Sequence, residues 1–165
     1  MMHSDNRLIN LPVMLMLATL LGGCAAPFKL DGVNQSIQPQ QTLTDPATLK
    51  QRVLWGGLII GTRNFKDHSE IEILSYPLYS DGEPKRTATA QGRFILKQTG
   101  FIEPAQYAAG RWISAVGQVQ PGQKGQIGEV SYHYPVIEAE KSHLWPEQQE
   151  SYPQTQFRFG IGISL

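Results

Sequence analysis

The groups of this chain with chemistry to offer are few: three histidines beyond the first ten residues, two pairs of closely spaced glutamates, scattered serines and one cysteine. His68, His133 and His143 make no H-x-x-x-H pattern, and Cys24 has no second thiol for a C-x-x-C pattern. The ligand spacing of a tetrahedral metal site is therefore missing. Glu70 with Glu72, and Glu138 with Glu140, stand two residues apart. Paired carboxylates serve general acid–base catalysis when their surroundings push their proton affinities apart. Side chains two apart on a strand share one face, however, and this pattern points to a solvated face rather than a catalytic pair. Ser69, Ser75, Ser114 and Ser142 have no G-x-S-x-G setting, and no glycine loop suited to cradling phosphate is present. A non-enzymatic protein with no metal and no cofactor is expected.

Cys24 is the residue with an informative context. A polar head, Met1 to Asn10, carries Arg7 and Asp5, and the uncharged run LPVMLMLATLLGG follows from Leu11 to Gly23. A charged head, an apolar core of 7–15 residues and small residues at its end are the parts of an export signal. A spanning helix needs about 20 apolar residues, and here Asn10, Pro12 and Gly22-Gly23 shorten the run. A lone thiol in an exported protein cannot form an internal disulfide and requires another explanation. Leu21-Gly22-Gly23-Cys24 resembles the bacterial lipobox, which implies cleavage before Cys24 and acylation of its sulfur and new amino group. The competing reading is an ordinary signal peptide with an incidental cysteine past its cleavage site. It is weaker, because the small residues and the cysteine meet at the end of the apolar run. Ala25 stands where lipoproteins retained at the inner membrane usually carry Asp, so the resemblance points to the outer membrane.

The chain has 165 residues with 14 basic and 14 acidic side chains. The leader holds one of each, so the mature chain is equally balanced. That gives no electrostatic case for nucleic acid or for a polybasic membrane surface. Sixteen glycines and eleven prolines spread along the chain favour short strands and turns over helices.

The elements that must position these groups follow from periodicity. Residues 1–23 are read as signal peptide, 24–50 as a flexible lipid-anchored tether rich in Gln, and 51–165 as the folded domain. Asp45-Pro46 has the chemistry of a helix start. Arg52 to Thr62 predicts a strand bent or bulged at Gly56-Gly57. Glu70 to Pro77 alternates, with Ile71 and Ile73 opposite Glu70, Glu72 and Leu74. Asp81 to Pro84 predicts a turn and Gly92 to Lys97 a third strand. Glu103 to Ala109, closed by Gly110, predicts a short helix. Arg111 to Gln120 is a fourth strand, Pro121 to Gly125 a glycine-rich turn, and Gly128 to Glu140 a fifth strand interrupted by Pro135. Phe157, Phe159, Ile161, Ile163 and Leu165 alternate as a sixth. The order predicts a mainly β domain: a small OB-like barrel of five to six strands with one short helix. A meandering barrel without that connectivity is the alternative. Too few strands are available for a lipid-spanning barrel.

Several spacings together resemble one family. They include Arg52 with Trp55-Gly56-Gly57-x-Ile59, Glu72-x-x-x-Tyr76-Pro77-Leu78, and Gly92-Arg93-Phe94. Gly100-Phe101-x-x-Pro104-x-x-Tyr107-x-x-Gly110-Arg111 follows, then Gly128-Glu129, Tyr132-x-Tyr134-Pro135, Leu144-Trp145 and Phe159-Gly160-Ile161-Gly162. The pattern is similar to that of the Slp (starvation lipoprotein) family of outer-membrane lipoproteins. The resemblance implies a lipid-anchored protein of the Gram-negative outer membrane, with its domain in the periplasm and a general link to stationary phase and stress. It carries over no catalytic residue. Beyond Cys24, the candidate binding surface is Trp55, Arg93, Arg111 and Trp145. The arginines are expected to pair with Glu103 or Glu129 or to bind an anionic group. The expected partners are the outer membrane through the lipid, and an envelope protein or peptidoglycan. A glycan-binding module is the alternative to a structural or interaction role.

Overall fold

The computed structural model describes residues 27–147. The leader, Cys24 and the alternating stretch over 157–165 lie outside the described residues, and with them the expected sixth strand. Among the described residues five strands form the domain: β1 (Arg52–Asn64), β2 (His68–Ser75), β3 (Arg93–Thr99), β4 (Trp112–Ile127) and β5 (Val130–Leu144). They close into a ring in the order β1-β2-β3-β5-β4. All neighbours are antiparallel except β3 and β5, which run parallel through Ile95–Val136, Leu96–Ile137 and Lys97–Glu138.

Alternation decides what the ring encloses. Val53, Trp55, Ile59, Ile71, Ile73, Phe94, Leu96, Ile113, Ala115, Val119 and Ile137 point inward and form one apolar cluster. Burying each large aliphatic or aromatic side chain contributes about 1.5–3 kcal/mol. Alternation turns the neighbours outward, where Glu70, Glu72 and Lys97 are polar and Leu54, Val116, Ile95 and Val136 form further apolar clusters. The glycine pair of β1 has a different reason from the one expected. The register shift of β1 against β2 falls between Ile59 and Gly61, not at Gly56-Gly57. The pair is needed for close approach: a Cβ on Gly57 would collide with the Leu74 carbonyl, and one on Gly56 with Ile113 O at 2.7 Å.

The expected glycine-rich turn at Pro121 to Gly125 is strand. β4 and β5 run on past the ring as a long hairpin, closed by Gly128-Glu129 with Gly128 at φ +59°. The ladder breaks between Gln120 and Gln123, opposite Pro135. Pro121 and Pro135 have no N–H to donate, so the hairpin bends there. Ile127 and Tyr132 on this arm then pack on the outward cluster of Ile95, Tyr134 and Val136.

The short helix expected over Glu103 to Ala109 is a run of turns. Gln106 and Tyr107 donate to Glu103 O at 3.0 and 3.2 Å, and Gly110 and Arg111 close the connection on Ile59 O and Ala108 O. The Tyr107 carbonyl accepts the Thr62 hydroxyl at 2.8 Å while its side chain packs on the core. Those ties, in a segment too short to hold a helix unaided, fix it as turns.

The flexible tether expected over 24–50 also needs correction from Phe28 onward. Phe28, Ile37 and Thr48 are buried. Asn34 bridges Val53. Short 3-10 turns occupy Pro39–Leu43 and Pro46–Thr48, the second capped by Asp45, whose carboxylate accepts Ala47 N at 3.0 Å. Phe28 joins Leu54, Val116 and Trp145 in a cluster on the outside of the ring. Two apolar anchors among glutamines convert the segment into a strap.

Candidate functional site

The outer face of β2 and β3 carries the densest polar network. Arg93, opposite Leu74 at the start of β3, gives Nη1 to Glu72 Oε1 at 2.7 Å. The Tyr134 hydroxyl reaches the same oxygen at 3.2 Å and the Gln126 carbonyl at 3.2 Å. Tyr132 accepts Arg93 N–H at 3.0 Å and the Gln40 amide at 2.9 Å, its ring edge-on to Tyr134 at 4.6 Å. Burial first, and then the Glu72 carboxylate, raise the Tyr134 phenol above its usual value. Arg93 is thus committed to Glu72, not to Glu103 or Glu129. Arg111 meets Glu147, with Nε 3.5 Å from Oε1, and gives Nη1 to Gln106 O at 3.3 Å.

The tryptophans of the candidate surface are buried, Trp55 within the ring and Trp145 in the cluster on its outside. Trp55 is buried, donates Nε1 to Ile37 O at 2.7 Å, and meets Phe94 edge-on at 5.3 Å. Trp145 donates Nε1 to Ser114 Oγ at 2.9 Å, and that hydroxyl donates onward to Gly82 O at 2.6 Å. Trp55, Arg93, Arg111 and Trp145 are therefore not gathered on one open face. Two indoles hold the strap and the β2–β3 connection, and two guanidiniums face acids.

Of the paired glutamates, Glu70, Glu72 and Glu140 are counterions, while Glu138 accepts the Gln120 amide at 3.4 Å. Glu70 points outward yet is only 4 % exposed, because Arg63 at 3.2 Å, His68 at 3.6 Å and Lys97 at 3.8 Å surround it. Pairing aligns the set: Arg63 stands opposite Glu70, Glu70 opposite Lys97, and Lys97 beside Glu138. Glu140 takes Arg52 Nε at 3.0 Å and Nη2 at 2.7 Å, and that hydrogen bond raises the guanidinium's affinity for its proton. His133 sits on the arm beside Lys124, and His143 lies edge-on between Phe28 and Trp145 at 6.2 and 4.6 Å. The histidines are thus in three separate places. Among the described residues no three His, Cys, Asp or Glu side chains are grouped to hold a metal.

Two hollows remain. One, of about 190 Å³, opens between the strap and the loop after β2, lined by Gln35, Gln38, Trp55, Tyr76, Tyr79 and Gln91. Tyr79 is 52 % exposed, with Lys85 Nζ 5.2 Å from its ring centre. The other, of about 430 Å³, lies where the β3–β5 ladder ends and includes His68, Lys97, Gln98, Gln120 and Glu138. Gln98 Oε1 is buried there without a partner among the described residues. Neither hollow was anticipated from the sequence. The glutamines of 35–41 were the available signal for the first, and the packing of their segment on the ring through Phe28 and Ile37 was not visible. Amides and aromatic faces suit hydroxylated ligands; neither hollow pairs a nucleophile with a base.

Comparison with known proteins adds a family to this geometry. The family model described as outer membrane lipoprotein Slp family matches residues 21–160. An uncharacterized Haemophilus influenzae protein is 34 % identical over 129 residues, covering 76 % of this chain and 70 % of its own. Outer membrane protein Slp of Escherichia coli is 30 % identical over 138 residues, 81 % of this chain and 73 % of its own. The uncharacterized lipoprotein YeaY of Escherichia coli is 26 % identical over 139 residues, 81 % and 70 % of the two chains.

Proposed function

This chain belongs to the outer membrane lipoprotein Slp family, and from that premise we propose that it is a non-enzymatic lipoprotein held at the outer membrane through Cys24, acting by contacts within the envelope. The observation that carries the reading is the lipobox-like Leu21-Gly22-Gly23-Cys24 at the start of the family match. Two or more acyl chains anchor stably where one anchors marginally, at roughly 0.8 kcal/mol per buried CH₂. Cleavage before Cys24 removes the leader, and the domain faces the periplasm. A role in stationary phase or stress belongs to the same reading, through the family resemblance.

The ring is read as an OB-like barrel, on the order β1-β2-β3-β5-β4 with its parallel β3–β5 closure. The commitment of Glu70, Glu72, Glu140, Arg93 and Arg111 to structural pairs supports a non-enzymatic role. A second reading, a glycan or peptidoglycan-binding module, is favoured by the hollow of glutamines and tyrosines around Tyr79. A photo-crosslinking residue at Tyr79 in intact envelopes separates the two. Adducts with an envelope protein are expected from the first reading, and adducts with glycan strands alone from the second. Absence of any adduct in growing and stationary cells would contradict both.

A further inference from the structure

Two phenylalanines stand in the open at one end of the ring, Phe65 at 47 % and Phe101 at 71 % exposure. They sit on different loops, the β1–β2 turn and the β3–β4 connection, but the loops are fastened together. Asn64 donates its amide to Ile102 O at 3.0 Å and accepts Ile102 N at 3.3 Å. Ser69 Oγ donates to Gly100 O at 2.7 Å, and Gly100 N to Asp67 O at 3.0 Å. Gly100 at φ +79° turns the chain, Ile102 plunges into the core, and Phe101 is left outside. Arg63 lies 5.8 Å above the Phe65 ring and His68 stacks on it at 4.8 Å. Lys66 and Asp67 are exposed beside them. The connection adds exposed Pro104, Ala105, Ala108 and Ala109, with Glu103 as its one charge before Arg111. An apolar edge with aromatic tips and flanking cations is the composition of a surface that enters the headgroup region of a bilayer.

We propose that this edge, Phe65 with Phe101 and the 104–109 turns, is a second, non-covalent contact of the domain with the lipid surface. The inference rests on the Cys24 anchor proposed above. Phe28 is already packed on the ring, so the chain from Cys24 reaches at most about 14 Å, and the domain is held close to the bilayer. Phe28 clusters with Trp145 and Trp112, directly after the 101–111 connection, while Arg111 meets Glu147. Phe28 also lies against Leu54 and against Gly82 of the β2–β3 connection, at the other end of β2 from Phe65, and Trp112 and Trp145 carry its cluster to the end of the ring where β4 begins.

The test uses the mature protein purified from envelopes, in vesicles of phosphatidylethanolamine and phosphatidylglycerol. Phe65→Cys, Phe101→Cys and, as controls, Val130→Cys and Tyr79→Cys each receive a spin label, the anchor thiol being acylated. All four positions are exposed, and the Asn64, Ser69 and Ile102 ties remain. Flotation with the vesicles reads the anchor. Relaxation by oxygen exceeding relaxation by a water-soluble nickel reagent at 65 and 101, with the reverse order at 130 and 79, is the expected result. Flotation with nickel relaxation dominant at 65 and 101 would overturn this contact and leave the anchor standing. Failure to float would overturn both.

Discussion

Tyr134 shows how much one side chain of the outer network holds. Its ring is buried against Ile95 and Val136, while its hydroxyl lies at the Glu72 carboxylate that also takes Arg93. Its phenol is raised, so the unfolded chain releases this proton first as pH climbs past about 10. The folded form then binds more protons than the unfolded one, and stability falls with rising pH. The contribution is complete below the ordinary tyrosine range and is lost as pH rises through the elevated value. Melting curves between pH 8 and 11.5 should show a steeper alkaline loss in the native protein than in Tyr134→Phe; identical slopes would remove Tyr134 from the account. Ser114 illustrates the same economy of polar groups, with one hydroxyl serving both the Trp145 indole and the Gly82 carbonyl. Neither role was legible in the sequence. Tyr132 and Tyr134 were read there as part of the spacing that resembles the family, and alternation places side chains on a face without saying what covers that face.

At the level of elements, the strap joins sequence-local and long-range order. The composition of residues 24–50 reads as a tether, and only Phe28 and Ile37 among the glutamines hinted at packing. What fixes the strap is a partner far along the chain, the Trp55 indole on Ile37 O. Trp55→Phe keeps most of the apolar ring and removes that donor, leaving a buried carbonyl unpaired at a cost of about 1–3 kcal/mol. Limited proteolysis should then cut between 31 and 50 faster than in the native protein, with cuts within β2 and β3 delayed by comparison. Unchanged cleavage of the strap would mean that Phe28 and Pro39 hold it without the indole. The strands themselves were far more legible. The inward set of β2 and β4 follows alternation residue by residue, since burial of one face is a local constraint. The reach of β4 past Pro121 was not legible, because a proline–glycine run reads as a turn until its facing strand is known. The segment over 103–109 failed for a related reason: helix signals at its two ends are outweighed by the Thr62–Tyr107 tie and the burial of Ile102.

For the whole molecule, the closed ring and its apolar interior are the frame on which the strap and the loops are held. The carboxylates and histidines that opened the search for chemistry lie apart or are held by opposite charge, as with Glu70 under Arg63, His68 and Lys97. The address proposed for the chain rests on the apolar run that stops at Gly22-Gly23 before a lone thiol. The binding hollows were not legible, since each is lined by residues from separate elements joined only by folding. Family membership, the short leash to Phe28 and the exposed edge at Phe65 and Phe101 all draw meaning from that address. Mass spectrometry of the amino-terminal peptide from envelope-derived protein tests it most directly. The account predicts a chain beginning at Cys24, with acyl groups on both sulfur and amino nitrogen; a chain beginning elsewhere, or a Cys24 with a free thiol, would contradict it.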